Sequence, residues 1–406
     1  MKKMLCLLLA LALCLCGCTT AKPIDTTAEK ADQTTAGNSS QTTAGSSDTD
    51  ATELDETEPS DTIQLSLSAI SLPILEKEIK AEDGTVLMIH SYQDVALIAP
   101  DAEMAEKIVL KLLQEIDNGN SLSEETLEFA KEDYGTREDW LPYFYQLLYI
   151  PERIDEKVLS LHGIEASYSG GVHPNQIDLS VNFDMVTGEI LTLEDILTGA
   201  DAATELSQMI IADLTENKEY YQLYEGYASV INNRYGGGSD EWKTNTFWYL
   251  SGTGLCVTFS PYDLAPYVVG PIQVVIPYSD LTGILKDDFV LPQLPEANGT
   301  VSIALAQDVD LEQYSQFAEA ILDPDGERFI LYTDDLVTDV RLQYGNRFDT
   351  VFASNTLCAS DAIMVQAMIP DTIPNLRMSY VSGGVTHIYE ITQSGMDGSM
   401  LLLEVE

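Results

Sequence analysis

The sequence predicts a mixed fold of helices and strands followed by a smaller β-rich domain, and three patterns predict it. Apolar residues alternate with period two in several short runs, and they recur at helical spacing in a few longer ones. Beyond a stretch punctuated by Pro292, Pro295, Asn298 and Gly299, one helical segment precedes a series of strand-like runs.

Order is expected to begin at Ile63-Gln64-Leu65-Ser66-Leu67 and to continue in strands at 85–90 and 95–99. Asp101 is placed as the N-cap of a helix with Ala105, Ile108, Val109, Leu112 and Ile116 on one face, ending at Gly119. Ser121 with Glu124 reads as a capping box for a second helix carrying Leu127, Ala130 and Tyr134. Strands are expected at 177–183 and 189–192, then a helix over 202–215 with Leu206, Ile210 and Leu214 inward. Two apolar runs at 255–259 and 272–276 read as a meander or long hairpin. After the boundary come a helix at 311–322 and strands at 329–332, 336–342, 362–369, 376–381, 385–391 and 400–405. In the second of these strands Leu336, Thr338, Val340 and Leu342 face one way and Asp339, Arg341 and Gln343 the other, the signature of a half-buried sheet.

The N-terminus carries targeting information. Lys2 and Lys3 precede an apolar run over 4–15, too short for a final span of roughly 20 residues, so it reads as a secretion signal. Leu15-Cys16-Gly17-Cys18 closes it as a bacterial lipobox, with Cys18 the expected site of a diacylglycerol anchor in the cell membrane. Residues 19–62, rich in Thr, Ser, Ala, Gly, Asp and Glu, bury too little to offset ordering entropy. They read as a tether with an r.m.s. reach of about 35 to 40 Å. The expected layout is therefore signal and lipobox at 1–18, tether at 19–62, a module at 63–290 and a β-rich domain at 298–406.

Acidic residues outnumber basic ones 66 to 20, a formal charge of −46. That field repels phosphates and anionic lipid, which excludes nucleic-acid binding, and it speeds encounter with basic proteins. It also serves simply to keep an exposed protein soluble. Of six cysteines, Cys6, Cys14 and Cys16 leave with the signal and Cys18 takes the lipid; Cys256 and Cys358 read as buried free thiols.

Two strings carry a family likeness. The first is Tyr168-Ser169-Gly170-Gly171-Val172-His173-Pro174-Asn175, followed by Asn182-Phe183-Asp184 and by Thr187-Gly188-Glu189 through Asp195. The second runs from Phe259-Ser260-Pro261-Tyr262-Asp263 through Tyr267-Val268-Val269-Gly270 to Val275-Ile276-Pro277-Tyr278-Ser279-Asp280-Leu281. Over residues 63–288 the chain resembles the extracytoplasmic domain of RsiV-type anti-sigma factors and the accessory domain of PdaC-type peptidoglycan deacetylases. The resemblance implies an α+β fold with antiparallel sheet and packed helices. In the anti-sigma branch it implies recognition of lysozyme, a basic wall hydrolase, which agrees with the charge. Neither sigma regulation nor deacetylation is carried over. Cys18 lies almost at the start, and the histidines, His90, His162, His173 and His387, contain no His-x-x-x-His. Val268-Val269 also replaces the smaller residues usual before Gly270.

Gly170, Gly171, His173, Asn175, Tyr262 and Tyr267 are the candidate partner-binding residues. A ligand can approach an imidazole beside two glycines; the same imidazole can instead pack on a turn and bond to backbone. Tyr220, Tyr221, Tyr224, Tyr227 and Tyr235, with Trp242 and Trp248, offer rings to a partner or to the core. Ser382-Gly383-Gly384-Val385-Thr386-His387 echoes the first string as repeated hairpin chemistry. Asp323-Pro324-Asp325-Gly326 reads as a turn and not a calcium loop. No motif for catalysis, metal or cofactor is present. The expectation is a non-catalytic, lipid-anchored envelope protein whose module binds a surface partner, a lysozyme-like basic hydrolase or the wall polymer peptidoglycan. The alternatives are a carboxylate-dependent enzyme of wall glycan metabolism and a structural assembly factor of a surface complex.

Overall fold

The computed structural model describes residues 67–405 apart from 138, 346–348 and 371–373, so the expected signal, Cys18 and the 19–62 tether lie outside the described residues. The elements begin with β1 (Ser68–Ser71), β2 (Leu75–Lys80), β3 (Val86–Tyr92), β4 (Val95–Ile98), α1 (Ala102–Asp133), β5 (Tyr143–Ile154), β6 (Val158–Tyr168) and β7 (Asn175–Asp184). Then come α2 (Leu193–Ile196), α3 (Ala200–Glu216), α4 (Lys218–Tyr221), α5 (Tyr227–Tyr235), α6 (Glu241–Thr244), β8 (Trp248–Leu250), β9 (Gly254–Phe259) and β10 (Ile272–Pro277). The chain continues through β11 (Val301–Leu305), β12 (Gln316–Ile321), β13 (Glu327–Thr333), β14 (Val337–Tyr344), β15 (Asp349–Leu357), β16 (Asp361–Ala367), β17 (Leu376–Ser382), β18 (Val385–Gln393) and β19 (Met400–Glu404). The class is α+β, mostly antiparallel, with a β-rich C-terminal part.

A five-stranded sheet, β2-β3-β5-β6-β7, carries α1 on one face. The buried Ala105, Ile108, Leu112 and Ile116 of the helix meet Tyr145, Leu147, Tyr149, Leu161 and Phe183 of the sheet. The expected break at Gly119 does not occur, and one helix runs from Ala102 to Asp133. An interior glycine costs about 1 kcal/mol, which continued burial of the inward face at Ser123, Thr126 and Ala130 offsets. Asp101 caps the helix as expected, accepting the Met104 amide at 3.0 Å. The parallel pair β3/β5 is the crossover that α1 spans.

The two long strands β5 and β6 are not among the sequence expectations. One face of β5 is buried and the other half-buried, with α1, β1 and β15 packed on the strand, and both faces carry apolar side chains, so the period of two is hidden in the sequence. Pro151 falls at a bulge in the pairing with β6, where a missing N–H does no harm.

The other face of this sheet meets the edge of a three-stranded sheet, β10-β9-β8, which matches the expected hairpin at 255–276. Polar side chains satisfy the exposed backbone of the short edge strand β8. Ser160 Oγ accepts the Leu250 amide at 3.0 Å, Asn182 Nδ2 donates to the Trp248 carbonyl at 3.0 Å, and Ser180 Oγ accepts the Trp248 amide at 3.2 Å. Helices α3 and α5 cover the three strands through Leu206, Ile210, Leu214 and Ile231.

A seven-stranded sheet, β19-β18-β17-β14-β15-β1-β4, and a four-stranded sheet, β11-β13-β16-β12, enclose a second core. Here the structure departs from the expected partition at 290–298. The strands β1 and β4 precede that boundary, yet Ser68 pairs with Ser354 and with Ile98, which completes the C-terminal sheet. The described residues accordingly cluster as one unit. The expected helix at 311–322 is also corrected. Asp310 caps only a 3-10 turn, and Gln316–Ile321 is a strand parallel to β16, with Ala320 inward while Phe317 and Ile321 are more exposed. The polar residues Gln316 and Glu319 recur at a spacing of three, which suits a helix, and six residues are too few to fix the period, so pairing with β16 decides. Cys256 is buried and Cys358 half-buried, both free.

The Thr187-Gly188-Glu189 turn after β7 lies against α1, where Glu189 pairs with Lys107 at 2.8 Å and also with Lys111. Hydrogen bonds from Lys107 and then Lys111 pull the Glu189 carboxyl from its usual 4.5 down to about 2. Its folded titration is depressed, so its contribution to stability is complete above the unfolded value and is lost as pH falls toward 2. An NMR titration should place the Glu189 midpoint near 2 at low salt and move it upward with salt; a midpoint at 4.5 throughout would refute the pairing.

Candidate functional site

The loop between β6 and β7, residues 169–174, and the loop between β9 and β10, residues 260–271, meet at the surface. Gly170 turns the first loop with φ of +84°, and an added Cβ would lie 2.0 Å from the Tyr143 hydroxyl. Arg137 Nη1 donates to the Gly170 carbonyl at 2.9 Å and pairs with Asp133 at 3.2 Å. Burial, with a hydrogen bond to Asp133, pushes the Tyr143 phenol up to about 12. Gly170 is thus a packing residue anchored inward, whereas Gly171 and Asn175 are exposed beside it.

Beyond the glycines the loop presents His173. Its Nδ1 lies 2.8 Å from the Pro174 carbonyl, which only accepts, so that nitrogen carries the proton. In the neutral ring Nε2 is then the acceptor for the Tyr262 hydroxyl at 3.1 Å. The imidazole stacks on Tyr267, centroids 3.7 Å apart at 18°, and the Tyr267 hydroxyl donates to the same Pro174 carbonyl at 2.9 Å. Both readings of this histidine therefore meet in one geometry: it is bonded to backbone and it forms part of a surface.

Tyr262 has a φ of +76°, which a non-glycine residue adopts at a cost of about 1–3 kcal/mol. The turn around it is held by Asp263, whose Oδ2 accepts the Ser260 amide at 2.8 Å and pairs with Arg234 at 2.8 Å. Tyr262 is 54% exposed, and Val268 and Val172 beside it in the two loops are 82% and 101% exposed. Three of the candidates, His173, Tyr262 and Tyr267, thus form one aromatic and imidazole platform.

The remaining aromatics divide. Tyr227, Tyr235, Trp242 and Trp248 are core, while Tyr220 and Tyr224 are exposed. The echoed string at 382–387 is a tight hairpin between β17 and β18 with φ of +59° and +72° at Gly383 and Gly384, and His387 stacks on Tyr380 at 5.2 Å. A second feature escapes sequence reading: Glu152, His162 and Asp178 line one cavity, though they come from three strands. The polar alternation Gln176, Asp178, Ser180, Asn182 along β7 is a sequence signal for it.

Residues 194–279 match the DUF3298 model, a protein family of unknown function. The matched segment runs from α2 through β10 and holds Tyr262 and Tyr267 but not His173. Among solved structures, a DUF3298 family member from Bacteroides fragilis is similar, with 18% identity and a TM-score of 0.40 over 55% of this chain and 96% of its own. A DUF3298 family protein from Pseudomonas aeruginosa is similar with 16% identity and a TM-score of 0.36, over 53% of this chain and 95% of its own. No curated protein matches the chain. Among the described residues no helix is long and apolar enough to cross a membrane, and no group of three or more His, Cys, Asp or Glu is arranged to hold a metal ion.

Proposed function

We propose that this chain is a non-catalytic, lipid-anchored protein of the bacterial envelope whose RsiV/PdaC-like module docks a basic protein of the lysozyme kind. The supporting observation is the His173–Tyr262–Tyr267 platform, rigidly bonded within itself and flanked by exposed Val172 and Val268. Preformed aromatic anchors lose little entropy on binding and are common centres of interface energy. The charge of −46 selects a cationic partner and speeds its approach. Anchoring through Cys18 and the 19–62 tether would hold the module outside the membrane, within reach of such a hydrolase.

Calorimetric titration with lysozyme at low and physiological salt tests this. Binding should survive physiological salt, where the Debye length is about 8 Å, because ring contacts are not screened. Tyr267→Ala should weaken it at least about tenfold, or 1.4 kcal/mol, by removing the face on which His173 stacks. Binding confined to low salt, or indifferent to Tyr267→Ala, would overturn the reading.

A further inference from the structure

A cavity of about 340 Å³ opens where the five-stranded sheet meets the three-stranded sheet and the β14–β15 hairpin. That volume is ordinary for a small-molecule site. Its floor is the β5-β6-β7 face, with Ile150, Glu152, His162, Ile164, Gln176 and Asp178; β8 and β10 supply Tyr249 and Gln273. We infer that this cavity binds a small organic cation carrying an ammonium or guanidinium group.

The carrying observation is Asp178. It is 4% exposed, and its Oδ2 has no hydrogen-bond partner. Its Oδ1 has only a long contact with Gln176 Nε2 at 3.3 Å and lies 3.4 Å from His162 Nε2. That His162 nitrogen makes no hydrogen bond either, because the ring is held stacked on Tyr249, 4.9 Å away at 20°. A buried carboxylate oxygen without a donor is unfavourable unless something supplies one.

The rest of the lining decides what kind of donor fits. Glu152 adds a second carboxyl, 3.9 Å from His162 Nδ1, and burial pushes it upward, with the His162 and Arg341 charges opposing and Asp349 reinforcing. Gln273 donates one amide N–H to the Tyr249 hydroxyl, and its carbonyl oxygen remains as an acceptor. Among the described residues lining the cavity there is no Lys or Arg. Acceptors therefore predominate, an anion is repelled, and a neutral polyol brings no charge to set opposite the unpartnered Asp178 Oδ2. An ammonium or guanidinium group satisfies it, and Ile150, Ile164 and Pro271 offer apolar contact to the methylenes that carry such a group.

This inference is independent of the platform reading, which Tyr267→Ala tests. Two sources share the chemistry: a basic side chain of a protein and an amino sugar. The full chain should be titrated by calorimetry with agmatine and with glucosamine, and with N-acetylglucosamine as the uncharged counterpart. At least one amine should bind, N-acetylglucosamine should bind at least tenfold more weakly than glucosamine or not at all, and Asp178→Asn should weaken the amine tenfold or more. Preference for agmatine assigns the site to a protein side chain, and preference for glucosamine assigns it to an amino sugar. Failure of both amines in the unsubstituted chain, or equal affinity for glucosamine and its acetylated form, would overturn the inference whatever the variant does. Unchanged amine affinity in both Asp178→Asn and Glu152→Gln would overturn it as well.

Discussion

Arg153→Ala is expected to lower the unfolding free energy by about 3–5 kcal/mol, the range for a buried ion pair stripped of one member. Arg153 and Asp155 are each 2% exposed, with Nε donating to Asp155 Oδ2 at 2.6 Å. The guanidinium also donates from Nη1 to the Tyr278 hydroxyl at 2.8 Å and the Phe289 carbonyl at 2.7 Å, and from Nη2 to the Val290 carbonyl at 3.3 Å. It therefore joins the end of β5 to the turns that follow β10. Truncation strands a buried carboxylate and two carbonyls together. Arg153→Lys should recover only part of the loss, because one ammonium cannot reproduce a planar fork that reaches four acceptors. Urea unfolding of the chain measures both variants, and a loss below about 1 kcal/mol for Arg153→Ala would contradict this account.

Gly326→Ala is expected to cost about 2–3 kcal/mol by overpacking. The Asp323-Pro324-Asp325-Gly326 turn is closed by the Gly326 amide donating to the Asp323 carbonyl at 3.0 Å and the Asp325 amide donating to Asp323 Oδ1 at 3.0 Å. The neighbouring strand β16 docks directly on it. A Cβ on Gly326 would lie 2.1 Å from the Ala367 carbonyl carbon, which is backbone and cannot rotate away. Gln366 Nε2 meanwhile donates to the Pro324 carbonyl at 2.6 Å, so the turn cannot simply lift. Asp325→Ala at the same turn should cost only a few tenths of a kcal/mol, since Asp325 is exposed and its side chain holds no partner across the interface. Equal effects of the two substitutions would show that turn propensity, and not the contact with β16, is responsible.

Gly326 also shows where reading along the chain stops. The turn is local chemistry, and Pro-Asp-Gly announces it. The reason for its glycine is a strand forty residues later. Asp101, the face of Leu206, Ile210 and Leu214, and the 255–276 hairpin were legible for the same reason as the turn: each is specified by residues a few positions apart. The two loops that build the platform were legible as strings. Their meeting was not, because His173 and Tyr267 stand 94 positions apart and touch only once β7 is laid beside the three-stranded sheet.

Sequence-local patterning was enough for the α+β class, most individual elements, the acidic character and the residues of the platform. Tertiary structure decided the continuity of α1, the strand at 316–321, the share of β1 and β4 in the C-terminal sheet, and the cavity around Asp178. In each of these the local preference is worth about 1 kcal/mol or less per residue, and pairing or burial against a distant segment outweighs it.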